Sequence, residues 1–284
     1  LFSFFILLMI FSGKDFNKNY VNVTTFTILP LICLTWELVV LFAPYILVLV
    51  IIKNEYKNFY VAFKNSFVIF LPTILSIIFI FLTPLSQEGH KEMCDILLNE
   101  FGEKCYMSAN LLIRNTVYFD TFYIHESANY TNYLRFLGIF IFGFLPLHYL
   151  ILKSRFISKN NFISKNFKVS ILFFLLYLPT SLIFIFGWDW GRWINILYSF
   201  SVLLYFYLYK NCHIDFKNNE FHKIITFISD RKYILIPIFI IFSFGWHPKA
   251  TLSEDIGSLP GYRIPYKAIK FIETIKIRIK NNEY

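Results

Sequence analysis

The densest set of residues that could do chemistry is the segment Gly187-Trp-Asp-Trp-Gly-Arg-Trp-Ile194, a tight turn between two apolar blocks. Arg192 carries a permanent charge on a planar guanidinium, which suits phosphate or carboxylate groups. Asp189 stands three residues earlier and could pair with Arg192 or act as a base. The tryptophans offer flat apolar faces of the kind that stack on sugar rings: Trp188, Trp190 and Trp193. The alternative interpretation is a set of interfacial tryptophan anchors beside a local Asp–Arg salt bridge.

The string Trp188-Asp-Trp-Gly-Arg-Trp193 also resembles motifs of bacterial O-antigen polymerase-like proteins, which are membrane glycosyltransferases of surface-polysaccharide biosynthesis. The resemblance extends to the layout of apolar spans around one larger external loop. It implies a protein that joins polyprenyl-diphosphate-linked oligosaccharides at the outer face of the inner membrane. Arg192 would then steady the leaving diphosphate, and Asp189 would orient Arg192 or help to deprotonate the acceptor hydroxyl. No metal or other cofactor is implied, because arginine can neutralise the developing charge.

Further charged residues lie in the connection 86–135 and could complete a cationic and acid/base site, with ordinary surface solvation as the alternative: Arg114, Asp120, His125, Glu126 and Arg135. Glu37 lies about eleven residues into an apolar block, and an intramembrane carboxylate is a functional candidate because its insertion costs about 2.5–3.5 kcal/mol. His148 also lies inside an apolar block, where packing is the alternative to a proton relay.

Two of the four cysteines, Cys94 and Cys105, lie eleven residues apart in the connection 86–135. In an oxidising compartment a disulfide between them would stabilise the segment by about 3 kcal/mol. Two unrelated thiols are the alternative. Cys212-His213 and the nearby His222 do not supply the four paired ligands of a structural zinc site, so we expect no metal.

Composition indicates a membrane protein. The 284 residues are 57% hydrophobic and 16% charged, against about 25% charged in soluble domains, and mean hydropathy is +0.55. The apolar residues come in unbroken blocks instead of the periodic stripes of a soluble core. The net charge of +9 is carried in short loops beside these blocks, which favours anionic lipid over nucleic acid as the partner.

A membrane-crossing helix needs about 20 apolar residues. We predict an all-α integral membrane bundle of six or seven helices, beginning inside a truncated first helix at Leu1–Ser12. The doubtful last span is Tyr233–Trp246, whose fourteen residues could instead turn back. The remaining spans are Phe26–Ile52, Phe67–Leu85, Phe136–Leu152, Val169–Gly187 and Trp193–Tyr209.

The distribution of Lys and Arg orients the bundle. The loops 53–66, 153–168 and 210–232 hold thirteen of these residues, whereas the connections 13–25, 86–135 and 188–192 hold seven. We therefore place the first set in the cytoplasm and the second set outside. Most of the tryptophans then fall at the outer interface, where aromatic belts form.

Residues 1–246 are thus predicted to form a transmembrane domain with an external loop at 86–135, and residues 247–284 a basic tail. Within the tail, residues 267–280 mix apolar and cationic positions as an interfacial helix does, although a short strand or a solvated end is also compatible. The expected setting is the bacterial inner membrane, with the bilayer and a polyprenyl-diphosphate-linked glycan as partners. A transporter or flippase of lipid-linked cargo that uses Glu37 and His148, and a non-catalytic membrane subunit, are the alternatives.

Overall fold

The computed structural model describes residues 18–83, 85–105, 130–157, 161–186, 190–216, 223, 226–227, 229–237 and 263–280. This part of the chain is mostly helical, which confirms the predicted all-α class. The same part of the chain also contains a two-stranded antiparallel ribbon with three residues in each strand, which the all-α prediction did not include. Two of the helices are long and apolar enough to cross a membrane, over Phe59–Leu82 and Phe136–Lys153.

In chain order the elements are α1 (Lys18–Thr35), a 3-10 helix (Glu37–Phe42), α2 (Ala43–Lys53), α3 (Phe59–Leu82), α4 (Gln87–Phe101), α5 (Tyr130–Lys153), β1 (Ser154–Phe156), α6 (Phe162–Asn166), α7 (Val169–Ser181), α8 (Ile183–Phe186), α9 (Trp190–Lys210), β2 (Ile214–Phe216) and α10 (Arg263–Lys280). They belong to two compact units. The first comprises Leu1–Ser127 with Ser158–Gly187, and the second comprises Ala128–Ile157 with Trp188–Tyr284.

In the first unit, the predicted span Phe26–Ile52 is not one helix. α1 ends at Thr35, Trp36 is extended (φ −158°, ψ 96°), and the 3-10 helix leads into α2. Pro44 occupies the first turn of α2, where its missing N–H costs nothing. In a continuous helix the same proline would lose a hydrogen bond and clash with the carbonyl four residues earlier, so a break before it is favoured.

The two helices on either side of the break form a hairpin. The side chains of Asn22 in α1 and Asn54 just after α2 exchange amide hydrogen bonds at 3.0 and 2.8 Å. Residues 22 and 54 therefore lie at the same end of the first unit. The prediction that residues 26–52 form a single spanning helix is wrong, because the chain reverses at the break and its two ends meet.

α3 covers residues 67–82 of the predicted span Phe67–Leu85 and begins eight residues before that span, at Phe59. It packs along α1 through a narrow face that includes three small side chains. Only 17% of its most apolar 18-residue stretch is buried. Small residues let two helix backbones approach closely. The buried positions of α3 recur at helical spacing: Ala62, Ser66, Ile69 and Thr73.

α6 and α7 complete the first unit. The N–H of Phe162 donates to the carbonyl of Tyr56, so the segment before α6 contacts the connection between α2 and α3. The predicted span Val169–Gly187 is interrupted at Leu182, between α7 and α8. Pro179 removes a backbone donor, and the Thr180 and Ser181 hydroxyls donate to carbonyls of the preceding turn, which loosens the helix there.

In the second unit, α5 and α9 run parallel to each other. Their contacts follow the same order in both helices, from Tyr133–Trp190 through Phe144–Tyr198 to the hydrogen bond between Ser154 Oγ and Tyr205 Oη at 2.8 Å. These helices contain the predicted spans Phe136–Leu152 and Trp193–Tyr209. Of the predicted span Tyr233–Trp246, the structure describes residues 233–237, which are helical.

The ribbon joins the C-terminal ends of α5 and α9. β1 pairs with β2 in antiparallel register, with Arg155 opposite Asp215, an arrangement in which opposite charges stabilise a strand pair. Lys153 and Lys210 stand in the last turns of the two helices, where cations complement the negative end of the helix dipole. The loops 153–168 and 210–232 therefore begin at the same end of the α5–α9 pair.

Candidate functional site

The candidate site is the N-terminal end of the α5–α9 pair, opposite the ribbon. Arg192 lies in the first turn of α9 with an exposed side chain. Trp190 and Trp193, from the same turn, are only 4% and 5% exposed. The helix therefore separates the residues of the predicted motif: the arginine faces outward and the two tryptophans face inward.

Trp190 is held by aromatic rings of α5. Its ring centroid lies 5.1 Å from that of Tyr133 and 5.4 Å from that of Phe136, the latter in an edge-to-face arrangement. Such geometries are favourable beyond simple burial. We predicted Trp190 and Trp193 as sugar-stacking surfaces, but in this structure both are packing residues whose faces are covered by protein. They fix where α9 begins and thereby position Arg192.

The electrostatics of this end favour an anion. The first turn of a long helix presents unpaired N–H groups and the positive end of the helix dipole. Neither α5 nor α9 has an acidic residue in its first turn, and α9 instead carries Arg192 there. Backbone N–H groups at a helix N-terminus and an arginine guanidinium both suit phosphate and carboxylate groups, so this end of α9 combines two features that favour an anion.

Several predicted site residues lie outside the described residues. They are Arg114, His125, Trp188 and Asp189, together with Asp120 and Glu126. Arg135 lies in α5 by its backbone, five residues from the start of that helix, but its side chain is outside the described part. Of this set, the structure places Trp190 against Tyr133 and Phe136, with Arg192 and Trp193 in the same turn of α9 as Trp190.

Glu37 does not lie inside a continuous span. It is the first residue of the 3-10 helix, immediately after the extended Trp36, and its side chain is exposed. Position 37 is therefore at the turn of the α1–α2 hairpin, away from the Asn22–Asn54 end. A carboxylate is easier to accommodate at such a break than within a helix that crosses hydrocarbon, because backbone and solvent can reach it.

His148 lies within α5 beside two aromatic rings that also contact each other. Its ring centroid is 5.7 Å from that of Phe140 and 5.6 Å from that of Phe144. This is the packing environment that was the alternative to a proton relay. Tyr56 lies outside the candidate spans, and burial raises the pKa of its hydroxyl above the usual value. A hydrogen bond with Asn65 opposes this rise.

The predicted cysteine pair forms a disulfide in the structure, with the two Cα atoms 5.3 Å apart. It ties α4 to the chain that follows it. α4 is capped at its start by Ser86, whose hydroxyl accepts from the N–H of Gly89, and at its end by Gly102, whose positive φ of 66° suits glycine. Part of the predicted external loop 86–135 is therefore a capped helix that a disulfide joins to the residues following it.

His90 lies one turn before Cys94, with its Nε2 3.6 Å from the sulfur. Together with Cys105 these residues bring three atoms that can ligate a metal, one nitrogen and two sulfurs, within 4.8 Å of one another. Metals are bound by thiolates, and the disulfide removes both of them. In the oxidised state the cluster is therefore a disulfide with a neighbouring imidazole.

Sequence reasoning missed the residues that hold this architecture together. Tyr133 and Phe136 carry no motif, and the pairs Asn22–Asn54 and Ser154–Tyr205 are separated by 32 and 51 residues, beyond any local pattern. Comparison with family models, curated proteins and solved structures finds no match for this chain. Function must therefore be inferred from the residues and their geometry.

Proposed function

We propose that the chain is a multi-pass helical protein of the bacterial inner membrane. Support comes from the exposure of its two long apolar helices. Only 17% of the most apolar 18-residue stretch of α3 is buried, and only 33% of the corresponding stretch of α5. The core helix of a soluble protein would be largely covered. Leu75, Phe79 and Leu82 of α3 are each more than half exposed, which suits contact with lipid.

The orientation proposed for the α5–α9 pair has its ribbon end in the cytoplasm. Both helices carry lysine in their last turns, and the basic loops 153–168 and 210–232 continue from that end. Positive charge in short loops is retained on the cytoplasmic side. At 1.5 Å per residue, the 21 residues of α9 extend about 31 Å, close to the thickness of the hydrocarbon core. Arg192 would then lie at the outer interface.

We infer that this outer end binds the diphosphate of a polyprenyl-linked oligosaccharide and that the protein takes part in polymerising or transferring such units. The observation that carries this proposal is the exposed Arg192 in the first turn of α9, at the end where neither of two parallel helices has an acidic residue in its first turn. The Trp188–Trp193 resemblance to polysaccharide polymerases supplies the substrate class.

The proposed reaction is a glycosyl transfer. The bond between the anomeric carbon of the donor and its diphosphate oxygen breaks, and a new bond forms from that carbon to an acceptor hydroxyl oxygen. The hydroxyl proton passes to a base, for which Asp189, one residue before α9 in the sequence, is our candidate. The electron pair leaves with the polyprenyl diphosphate, whose added charge Arg192 would stabilise without being consumed.

The test compares three variants of the intact protein in a host whose surface-glycan length depends on it. We expect Arg192→Ala to shorten the glycan strongly, because charge stabilisation of this kind is worth about 10²–10³ in rate. Arg192→Lys, which keeps the charge but loses the planar fork, should retain part of the activity. Lys210→Ala removes a cation from the opposite end of α9 and should leave glycan length unchanged. Normal glycan length in Arg192→Ala, with the protein still in the membrane, would refute the assignment.

The broken α1–α2 hairpin favours a second candidate function, the transport of lipid-linked cargo. Discontinuous helices with a polar residue at the break are typical of transporter binding sites. Glu37 is such a residue, exposed at the start of the 3-10 helix. The two functions differ in where substrate accumulates. Loss of Glu37 in a flippase leaves lipid-linked units on the cytoplasmic face, whereas loss of Arg192 in a polymerase leaves them on the outer face.

A further inference from the structure

α10 presents an apolar face that the structure leaves exposed. Ala268, Phe271, Ile272 and Ile275 follow the spacing i, i+3, i+4 and i+7, which places them on one side of a helix. Phe271 is 67% exposed, Ile272 52% and Ile275 40%. Ile269 is the described apolar residue of α10 that falls outside this face. Exposed apolar surface of this continuity indicates an interaction surface.

The remaining positions of α10 are strongly cationic. The sequence of the helix contains six lysines and arginines against one acidic residue, Glu273. Among the side chains that the structure describes, Lys270, Glu273 and Lys276 lie off the apolar face, and all are exposed. An apolar strip flanked by lysines is complementary to an anionic bilayer. The acyl chains can accept the apolar side chains, and the negatively charged headgroups can bind the lysines.

Two other occupants fit less well. A second copy of α10 would bring six further cations against the first six, and like charges oppose such pairing. Insertion across the bilayer is also disfavoured. α10 extends about 27 Å over its 18 residues, yet it is not among the described helices that are apolar enough to cross a membrane. A helix of this length and polarity lies along an interface.

We propose that α10 lies in the headgroup region of an anionic membrane, with Phe271, Ile272 and Ile275 directed into the acyl chains and its lysines at the lipid phosphates. This inference rests on the proposed membrane location of the chain but not on its glycan chemistry. The partner is the bilayer surface itself, and the recognition is by charge and apolar burial instead of by a specific headgroup.

The test places one environment-sensitive fluorophore on each face of α10 in the full-length protein. Cys33 and Cys212 are first replaced by serine, and the Cys94–Cys105 disulfide is retained. Phe271→Cys or Glu273→Cys is then labelled with nitrobenzoxadiazole and reconstituted into vesicles of phosphatidylglycerol and phosphatidylcholine, or of phosphatidylcholine alone. Residues 271 and 273 are about 160° apart around the helix, at 100° per residue, so they form a matched pair.

In the anionic vesicles we expect the label at position 271 to shift its emission to the blue, to lose several-fold of its quenching by aqueous iodide, and to be quenched by doxyl groups on the lipid chains. The label at position 273 should remain accessible to iodide. In phosphatidylcholine alone, and at high salt, the contrast between the two positions should decrease several-fold because the charge attraction is lost or screened.

Three outcomes would overturn the proposal. Equal accessibility of positions 271 and 273 would mean that no face is embedded. Protection of position 271 without quenching by doxyl lipid would mean that protein covers the face. Protection that does not depend on anionic lipid would remove the role of the lysines. None of these readouts involves glycan length, so failure of this proposal leaves the Arg192 test intact, and failure of that test leaves this one standing.

Discussion

Two apolar runs in the first unit have similar composition and different structures. Residues 67–82 lie within the uninterrupted 24-residue helix α3, even though Pro72 stands in its interior. Residues 26–52 also contain interior prolines, at positions 30 and 44, but they form two helices around a break at Trp36 and the 3-10 helix. Proline alone therefore does not decide whether an apolar run stays continuous.

The difference lies in the charge. Residues 67–82 contain no ionisable side chain of the Asp, Glu, Lys or Arg type, whereas Glu37 stands in the middle of residues 26–52. In the membrane location that we propose, an unbroken helix through position 37 would place a carboxylate in hydrocarbon, which costs about 2.5–3.5 kcal/mol. The break moves Glu37 to the turn of a hairpin, and Pro44 then becomes an acceptable residue of a first helical turn. An apolar run with one central carboxylate is thus better interpreted as a hairpin than as a span.

The largest expected effect is all-or-none and concerns topology. Lys18→Cys and Lys57→Cys, each in a protein with Cys33 and Cys212 replaced by serine, should react with a membrane-impermeant maleimide from the same side. The reason is that the Asn22–Asn54 hydrogen bonds hold residues 18–22 and 54–57 at one end of the hairpin. Labelling of spheroplasts before and after permeabilisation measures it.

The matched control for this labelling is Thr83→Cys, just beyond the last residue of α3. The 24 residues of that helix extend about 36 Å, so position 83 should react from the side opposite to positions 18 and 57. Reaction of Lys18→Cys and Lys57→Cys from opposite sides would show that residues 26–52 cross the membrane once, and the hairpin would then be wrong.

The sequence was informative where a property is summed over a long segment. The apolar length of residues 67–85 and 136–152 was enough to predict α3 and α5, and the spacing of Cys94 and Cys105 led to their pairing. The caps Ser86 and Gly102 also marked α4, although we had interpreted that region as a loop. These features are local, and each leaves a signal in neighbouring residues.

The remaining features depend on partners that are distant along the chain. The break at Trp36 has no glycine or proline at the break itself, and hydropathy averages over it. Whether Trp190 stacks on a ligand or packs in the protein was decided by Tyr133 and Phe136, more than fifty residues away. A motif therefore predicted which residue types occur at the candidate site, but only the α5–α9 packing determined which of them are accessible.

The next largest effect is a difference of sign between two prolines. Pro72→Ala should stabilise the protein by up to about 3 kcal/mol, because an interior proline lacks a helical hydrogen bond. Pro44→Ala should destabilise it by about 0.4–1 kcal/mol, because the native turn already fits proline and alanine frees the unfolded chain. Denaturation by sodium dodecyl sulfate, followed by circular dichroism, measures both. Effects of the same sign would contradict the distinction between the two runs.

A smaller effect is expected at the open end of the hairpin, where Asn22 and Asn54 meet. Asn54→Ala removes both bonds with Asn22 and one to the carbonyl of Val50, and should cost about 1–2 kcal/mol. Asn166→Ala, which removes a single exposed bond to the carbonyl of Phe162, is the control and should cost less. In a double-mutant cycle, Asn22→Ala and Asn54→Ala should be coupled by at least about 0.5 kcal/mol. Additive effects would mean that the two amides do not support each other.

The smallest effect tests the packing of α3 on α1. Within the described residues the Thr73 hydroxyl is buried without a hydrogen-bond partner, whereas that of Thr25 donates to the carbonyl of Val21 at 2.8 Å. Thr73→Val should therefore stabilise the protein by about 1 kcal/mol, because it removes a buried polar group and keeps the shape. Thr25→Val should be neutral or destabilising. The two residues are equally buried and equally branched, so a difference between them in the same denaturation assay isolates the hydrogen bond. If Thr73→Val instead destabilises the protein, then its hydroxyl contributes to the helix pair, and α3 is held by polar contacts as well as by its small residues.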